Sequence, residues 1–278
     1  MSILLFSIVA GLGAIAAGLL GSLSGLGGGV IIIPFLTLVL GVDIRYAIGA
    51  SLVSVIATSS GAAVAYVKDG YSNIRLGMFL EVATTMGALL GAHLASVLPV
   101  NVISVIFGLV LLPSAYMAMR FHPHAILSSH QDTWSAHLHL DGNYPSHGEL
   151  RPYRVQHVPL GFSLMSVAGV LSGLLGIGSG EFKVLAMDQA MCLLFKVSTA
   201  TSNFMIGVTA AASAGIYLNR GYVSPSITMP VIVGVLVGSF FGARAIKHLH
   251  TRYLRIVFAL LMIGVAIEMI HKGIAGGL

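Results

Sequence analysis

Cysteine occurs once in the chain, at Cys192. A lone thiol excludes an intramolecular disulfide and any multi-cysteine metal site. Charge is scarce too: Asp, Glu, Lys and Arg make up 8% of the 278 residues, against 56% hydrophobic ones, and the mean hydropathy is +0.95. A soluble core could not absorb that much apolar surface, so the composition places the chain among polytopic membrane proteins. The formal charge of +5 does not point to nucleic acid. Its basic residues are scattered at segment ends and form no stripe interleaved with aromatics. Met1 and Ser2 supply no Lys or Arg ahead of the apolar run from Ile3 to Leu20, so that run lacks the basic start of a signal peptide. It also has a counterpart, Pro159 to Leu171, and reads as a structural helix.

What the chain has in abundance is glycine inside apolar sequence. Ser24-Gly-Leu-Gly-Gly-Gly-Val-Ile-Ile-Ile-Pro34 is matched, 151 positions later, by Leu175-Gly-Ile-Gly-Ser-Gly-Glu-Phe-Lys-Val-Leu185. Gly25, Gly27 and Gly29 fall on Gly176, Gly178 and Gly180, while Gly28 falls on Ser179. Without a gap the register carries Ser51 onto Ser202, Thr58 onto Thr209, Tyr66 onto Tyr217, Gly87 onto Gly238 and Gly91 onto Gly242. The chain therefore reads as an internal duplication. Glycine weakens helix by about 1 kcal/mol relative to alanine and lets backbone approach a ligand. In a membrane, broken helix is tolerated where it is buried in protein or lines a water-filled cavity. Paired breaks at matching places in two halves mark a transporter's binding site. Glycine also serves close helix packing, and that reading stands beside the first.

Apolar stretches approaching the roughly 20 residues of a membrane span fall near 3–21, 28–41, 46–67, 74–97 and 101–119, then 158–174, 180–195, 197–218, 225–246 and 254–270. The second stretch of each half is short or charged and reads as a half-helix or re-entrant piece. Cytoplasmic loops are enriched in Lys and Arg. Counting five segments per half puts Lys68, Arg75, Arg120, Arg151, Arg154, Lys196, Arg244, Lys247, Arg252 and Arg255 on one side, against Arg45, Lys183, Arg220 and Lys272. That asymmetry predicts an inverted repeat with both termini outside. The polar stretch from Arg120 to His157 then joins the halves on the cytoplasmic side. It holds His122, His124, His130, His137, His139, His147 and His157, with Asp132, Asp141 and Glu149 nearby. Metal binding or pH sensing are open to such a stretch, but a solvated loop without fixed structure is the simpler expectation, and no metal site is assigned.

Ser51, Ser54 and Thr58 share a helical face, and Ser198, Ser202 and Thr209, with Asn203 beside them, repeat the pattern. Hydroxyls and amides can solvate a small anion, or can bond neighbouring helices at about 0.6 kcal/mol each. Ser51, Ser202 and Asn203 follow the glycine breaks and are the ones assigned to substrate. Gly87 with Gly91, and Gly234 with Gly238 and Gly242, have the spacing that lets helix backbones touch. Ionisable groups within a bilayer are costly and mark ion or substrate paths. Lys183 is the candidate anion-attracting cation, and Glu81 or Glu181 the candidate proton-coupling group; a structural Glu to Lys pair is the competing reading. No catalytic constellation is present. Gly21-Ser-Leu-Ser-Gly25 lacks both the spacing of a serine nucleophile turn and a histidine partner.

The run Gly25-Leu-Gly-Gly-Gly-Val-Ile-Ile-Ile-Pro34, the later Ala47-Ile-Gly-Ala-Ser51, and Gly176-Ile-Gly-Ser-Gly180 followed by Val197-Ser-Thr-Ala-Thr-Ser-Asn203 resemble the sulfite exporter TauE/SafE family, also called the toluene sulfonate uptake permeases. The resemblance covers nearly the whole chain outside the His-rich stretch. It implies a multi-pass bacterial or archaeal carrier of sulfite, sulfonates or related organosulfur anions. The chain departs from its own first-half pattern where Ser179, Glu181, Lys183 and Leu185 stand.

The resulting expectation is an all-α integral membrane protein of two inverted repeats, residues 1–119 and 158–278, joined by a linker at 120–157. It would move a small oxyanion by alternating access, the halves rocking about a midplane site formed by Gly25, Gly27, Gly28, Gly29, Ser51, Gly176, Gly178, Ser179, Gly180, Lys183, Ser202 and Asn203. Proton coupling is an added expectation; a passive anion channel is the alternative. No cofactor is implied, the lipid bilayer is the obligatory surrounding, and a homodimer is left open.

Overall fold

A computed structural model of the chain describes residues 3–24, 28–68, 70–119, 132–146, 149–245 and 251–275. The first half comprises α1 (Ile3–Ser24), α2 (Gly29–Pro34) running into a π-helical turn (Phe35–Val39), α3 (Ile44–Lys68), α4 (Ile74–Val97) and α5 (Val100–Met119). The second comprises α7 (Val158–Leu175), α8 (Gly180–Leu185) with its π-helical turn (Ala186–Ala190), α9 (Phe195–Asn219), α10 (Pro225–Ala245) and α11 (Thr251–Ala275). Between them lie α6 (Thr133–Leu138) and an antiparallel hairpin of β1 (Gly142–Ser146) and β2 (Glu149–Tyr153). The short pieces expected at 28–41 and 180–195 are thus half-helices ending in wide turns.

Those turns repeat bond for bond. The Leu40 amide donates to the Phe35 carbonyl and that of Val42 to Leu36; the amides of Met191 and Leu193 donate to Ala186 and Met187. The duplication therefore extends from sequence to hydrogen-bond pattern, even though Pro34 in the first half is Leu185 in the second.

Among the described residues, three helices are long and apolar enough to cross a membrane, at Leu4–Gly21, Ile74–Val97 and Val158–Leu175. Shorter apolar helices lie at Gly29–Val39, Ile44–Ser60, Val100–Tyr116 and Pro225–Phe241. Large side chains such as Leu12, Met86, Leu90, Val233 and Phe241 point outward. In water such a surface would be a liability; against lipid it is the required one. The protein is an all-α membrane protein.

Glycine decides which helices touch. A Cβ at Gly87 would strike the Ser166 backbone and one at Gly91 the Val170 backbone, while Gly169 and Gly173 meet Thr84 and Ala88. Advancing along α4 advances along α7, so these two run parallel with their backbones in contact. The same seam joins α1 to α10, where Gly234 meets Gly11 and Gly238 meets Ile15. Against these, α5 and α11 run antiparallel: Gly108 meets Ala266 and Ile270, whereas Gly273 meets Asn101 and Val105. Each half thus seats a helix against the other half.

The stretch between the halves departs from the solvated loop expected of it. Asp132 caps α6 by accepting from the Trp134 amide and also accepts from the Val158 amide at the start of α7. Asp141 accepts from the Ser135 hydroxyl at 2.6 Å and from the Val155 amide. Asn73 then fastens this insert to the helices. Its Oδ1 accepts from the Leu76 amide, capping α4, and its Nδ2 donates to the Leu140 carbonyl and the Tyr153 phenol. Burial pushes the Tyr153 phenol up to about 12; the Asn73 hydrogen bond opposes this and the Asp141 charge adds to it. The phenol therefore stays neutral, and the stability it contributes is complete below its unfolded pKa of about 10 and is lost as pH rises toward 12. His137 and His157 hold the carbonyls of Thr133 and Ala190 by their Nδ1 atoms. His122, His124, His130 and His147 lie outside the described residues. Asn73→Ala is expected to cost about 1 kcal/mol through the lost cap and to expose the insert to limited proteolysis within 132–157. A wild-type cleavage pattern would show that Asn73 is not the fastening.

Candidate substrate site

The two glycine breaks come together. Gly28 at φ 73° and Ser179 at φ 47° occupy equivalent left-handed positions immediately before α2 and α8, neither with a side-chain cap on the helix it precedes. For Gly28 this conformation is free; for Ser179 it costs about 1 kcal/mol, and the buried Ser179 hydroxyl has no partner. Ser51, from α3, donates to the Gly176 carbonyl at 2.9 Å. A Cβ on Gly29 would sit 2.7 Å from the Ser51 Oγ and 3.1 Å from the Gly176 oxygen, so only glycine fits there. Ser202, from α9, donates to the Gly180 carbonyl at 3.2 Å, and Asn203 donates to the Thr199 carbonyl one turn back. Gly178 packs its backbone on Ile206 and Val55, the pair related by the repeat. Gly28, Gly29, Ser51, Gly176, Gly178, Ser179, Gly180 and Ser202 therefore form one cluster. Gly25 and Gly27 lie outside the described residues.

The hydroxyl faces are less open than their spacing suggests. Ser54 donates to the Ser51 carbonyl at 2.7 Å, and Thr58 to the carbonyls of Ser54 and Val55. Both spend their protons on their own helix. Ser198 and Thr199, near the start of α9, keep buried hydroxyl oxygens without a partner.

The charged residues make a second node. Lys183 is fully buried, and its Nζ donates to the Thr209 hydroxyl at 2.5 Å. Thr209 Oγ1 lies 2.7 Å from Glu81 Oε1, which also accepts from Thr85 at 3.0 Å. Glu81 is 7% exposed, and its Oε2 is buried with no partner. Lys183 is thus no loop cation, as the charge count assumed, but sits inside the bundle. Glu81 and Lys183, given separate roles in the sequence with a Glu to Lys pair as the competing reading, are joined through one hydroxyl. Glu181 belongs to α8, but its side chain lies outside the described ones. Thr209 is the residue the sequence reading left among ordinary helix hydroxyls. Its signal was faint: it falls on Thr58, while Lys183 and Glu81 fall on Ile32 and Ile232 in the duplication register.

The family model described as sulfite exporter TauE/SafE matches residues 10–269. The chain belongs to the sulfite exporter TauE/SafE family. It is 28% identical over 277 residues to the probable membrane transporter protein YunE of Bacillus subtilis, covering 97% of this chain and 98% of that one. It is 27% identical over 223 residues to the probable membrane transporter protein YdhB of the same organism, covering 79% and 82%. It is also 26% identical to the probable membrane transporter protein MJ0441 of Methanocaldococcus jannaschii, covering 87% of each chain. No solved structure matches. This TauE/SafE protein is a multi-pass membrane transporter and not an enzyme.

Proposed function

We propose that the protein is a secondary carrier of small sulfur-containing anions, such as sulfite or sulfonates, working by alternating access about the meeting point of the two glycine breaks. The observation that carries the reading is the contact of Gly29 with Ser51 and Gly176, which joins both broken helices at one buried point. Half-helices separated from α1 and α7 by non-helical backbone are where transporters hold ions. Ser51, Ser179 and Ser202 supply neutral polar groups there and Lys183 the positive charge, with Asn203, next along α9 from Ser202, as the remaining amide of the proposed set. A proton carried on Glu81 or Glu181 would offset the anion.

The same reading takes residues 1–119 and 158–278 as inverted repeats, with 120–157 as a cytoplasmic linker. It is supported by helix direction. The repeat maps α5 onto α11, and these two pack antiparallel, as a two-fold axis lying across the helices requires; an axis along them would make the pair parallel. Because α1 seats on α10 and α7 on α4, any rigid unit that rocks contains helices from both halves. A homodimer is compatible with this arrangement and is tested by the mass of the detergent-solubilised protein.

Proteoliposomes preloaded with sulfite, thiosulfate, sulfoacetate or taurine, with sulfate as control, test the reading. A carrier shows saturation and counterflow of labelled anion; conductance without exchange would identify a passive channel instead. Ser51→Ala and Ser202→Ala are each expected to raise the apparent KM about tenfold, the loss of about 1.4 kcal/mol, with little change in protein yield. An unchanged KM in both would remove these hydroxyls from the site.

A further inference from the structure

We infer that Glu81, Thr209 and Lys183 form a single proton-coupling unit, in which protonation of Glu81 on its unpartnered oxygen releases the Lys183 ammonium to hold the substrate anion. The inference rests on the carrier reading above and adds to it how the charges balance and which residue links them.

The three side chains come from three elements, α4, α9 and α8, and meet in the interior. The Thr209 hydroxyl has one proton and two lone pairs. With the Lys183 ammonium donating to it, its own proton has two close acceptors, Glu81 Oε1 at 2.7 Å and the Met205 carbonyl one turn back at 3.0 Å. The carboxylate is the nearer and the charged one, so the hydroxyl holds cation and anion apart while keeping each within the other's field. Glu81 Oε1 is then filled by Thr209 and Thr85, whereas Oε2 is left buried and bare. A bare ionised oxygen in the interior is costly, and the ligand that fits it is a proton. A metal cation is disfavoured because the neighbouring ammonium already supplies the positive charge.

The other titratable groups on the elements packed here are few, and the Glu181 side chain lies outside those described. On α4 they are Arg75 and His93; α7 carries none; α9 has Lys196 near its start and Tyr217 near its end; the turn after α8 has Asp188, and α8 itself Glu181. The node also departs from the duplication. The repeat-related position keeps a threonine at Thr58 but has Ile32 in place of Lys183 and Ile232 in place of Glu81, and Thr58 donates to the Ser54 and Val55 carbonyls of its own helix. The repeat-related position thus stands without charge, and the charged node breaks the symmetry of the duplication.

The steps balance. With Glu81 ionised, the pair is neutral and Lys183 is committed to it. A proton from water forms an O–H bond at Oε2, Glu81 becomes neutral, and the ammonium is left with one uncompensated charge, which a monoanion satisfies. When the anion leaves on the opposite side, that O–H bond breaks and the proton passes to water there. One proton and one monoanion cross together, and no net charge moves.

The test uses proteoliposomes of the full chain with an entrapped pH dye, labelled methanesulfonate as the monoanion and labelled sulfoacetate as a dianion whose uptake with one proton should move one net negative charge, and valinomycin with potassium to set the voltage. Methanesulfonate has no proton to lose between about pH 5 and about pH 8. Wild type is expected to take up one proton per methanesulfonate, independent of voltage, with a rate that falls by up to about tenfold for each unit of rising pH on the alkaline side of the transition. Glu81→Gln should retain anion uptake but lose the proton signal and the pH slope, and uptake should become voltage-dependent. Thr209→Val should flatten the pH slope at unchanged protein yield, and Thr209→Ser, which restores a hydroxyl, should recover it. Anion flux in wild type without proton uptake, or a Glu81→Gln protein with the wild-type pH slope, overturns the inference and leaves the carrier standing. If wild type moves neither probe nor sulfite, the carrier reading itself falls, and the inference with it.

Discussion

Lys183→Met is expected to abolish transport, lowering uptake about 100-fold or more, the equivalent of about 2.7 kcal/mol. Two separate effects converge on that residue. The methionine cannot attract an anion, and it strips Glu81 of the charge that compensates it through Thr209. Breaking a buried pair by removing one partner costs about 3 to 5 kcal/mol, so the single variant should also show a lowered melting temperature in detergent. Lys183→Met combined with Glu81→Gln removes both charges and brings the position toward the uncharged Ile32 and Ile232 of the repeat-related one. The double variant should recover thermal stability and still transport nothing, which separates folding from function. A Lys183→Met protein with wild-type uptake would end any role for this lysine in substrate handling.

Gly173→Leu should prevent assembly of the folded protein. A Cβ there already falls 2.8 Å from the Ala88 carbonyl carbon and 2.9 Å from its Cα, both of them backbone, so no rotamer change can make room. Overpacking that side chains can relieve costs about 1 to 3 kcal/mol. This one forces α7 off α4 and should exceed that, against a total stability of about 5 to 15 kcal/mol. Gly264→Leu is the matched control, because nothing lies within 4 Å of its Cβ direction and the position is exposed on α11. It should change the melting temperature little. Size-exclusion profiles of the two variants in mild detergent make the comparison; a monodisperse Gly173→Leu protein melting with wild type would refute the seam.

Much of the architecture was legible because its signals are local. Glycine runs break helices wherever they occur, and the spacing of Gly87 with Gly91 announces a backbone contact from sequence alone. That spacing does not say whose backbone will arrive. The partner proved to be a helix of the opposite half, which depends on the folding of both. A Glu to Lys pair was one of the two readings open to Lys183, but which glutamate it meets, and that Thr209 stands between them, was hidden for the same reason, since no spacing connects α8, α9 and α4. For Ser54 and Thr58 both readings stayed open, because helical spacing reports which face a hydroxyl occupies but not that its proton has gone to a carbonyl three or four residues back. Composition concealed the insert. A polar, histidine-rich stretch looks unstructured until Asp132 and Asp141 are seen gathering backbone amides, although Asp132 ahead of Thr133 and Trp134 has the form of a helix cap.

The interleaving of α1 with α10 and of α7 with α4 bears on how the protein is made. Membrane segments emerge from the ribosome in order, and the early ones enter the lipid while the later ones are still being synthesised. Until α7 and α10 arrive, α4 and α1 must wait with bare glycine grooves facing lipid tails that fill them poorly. The nascent first half is an unfinished object, so its survival depends on how quickly synthesis delivers the second.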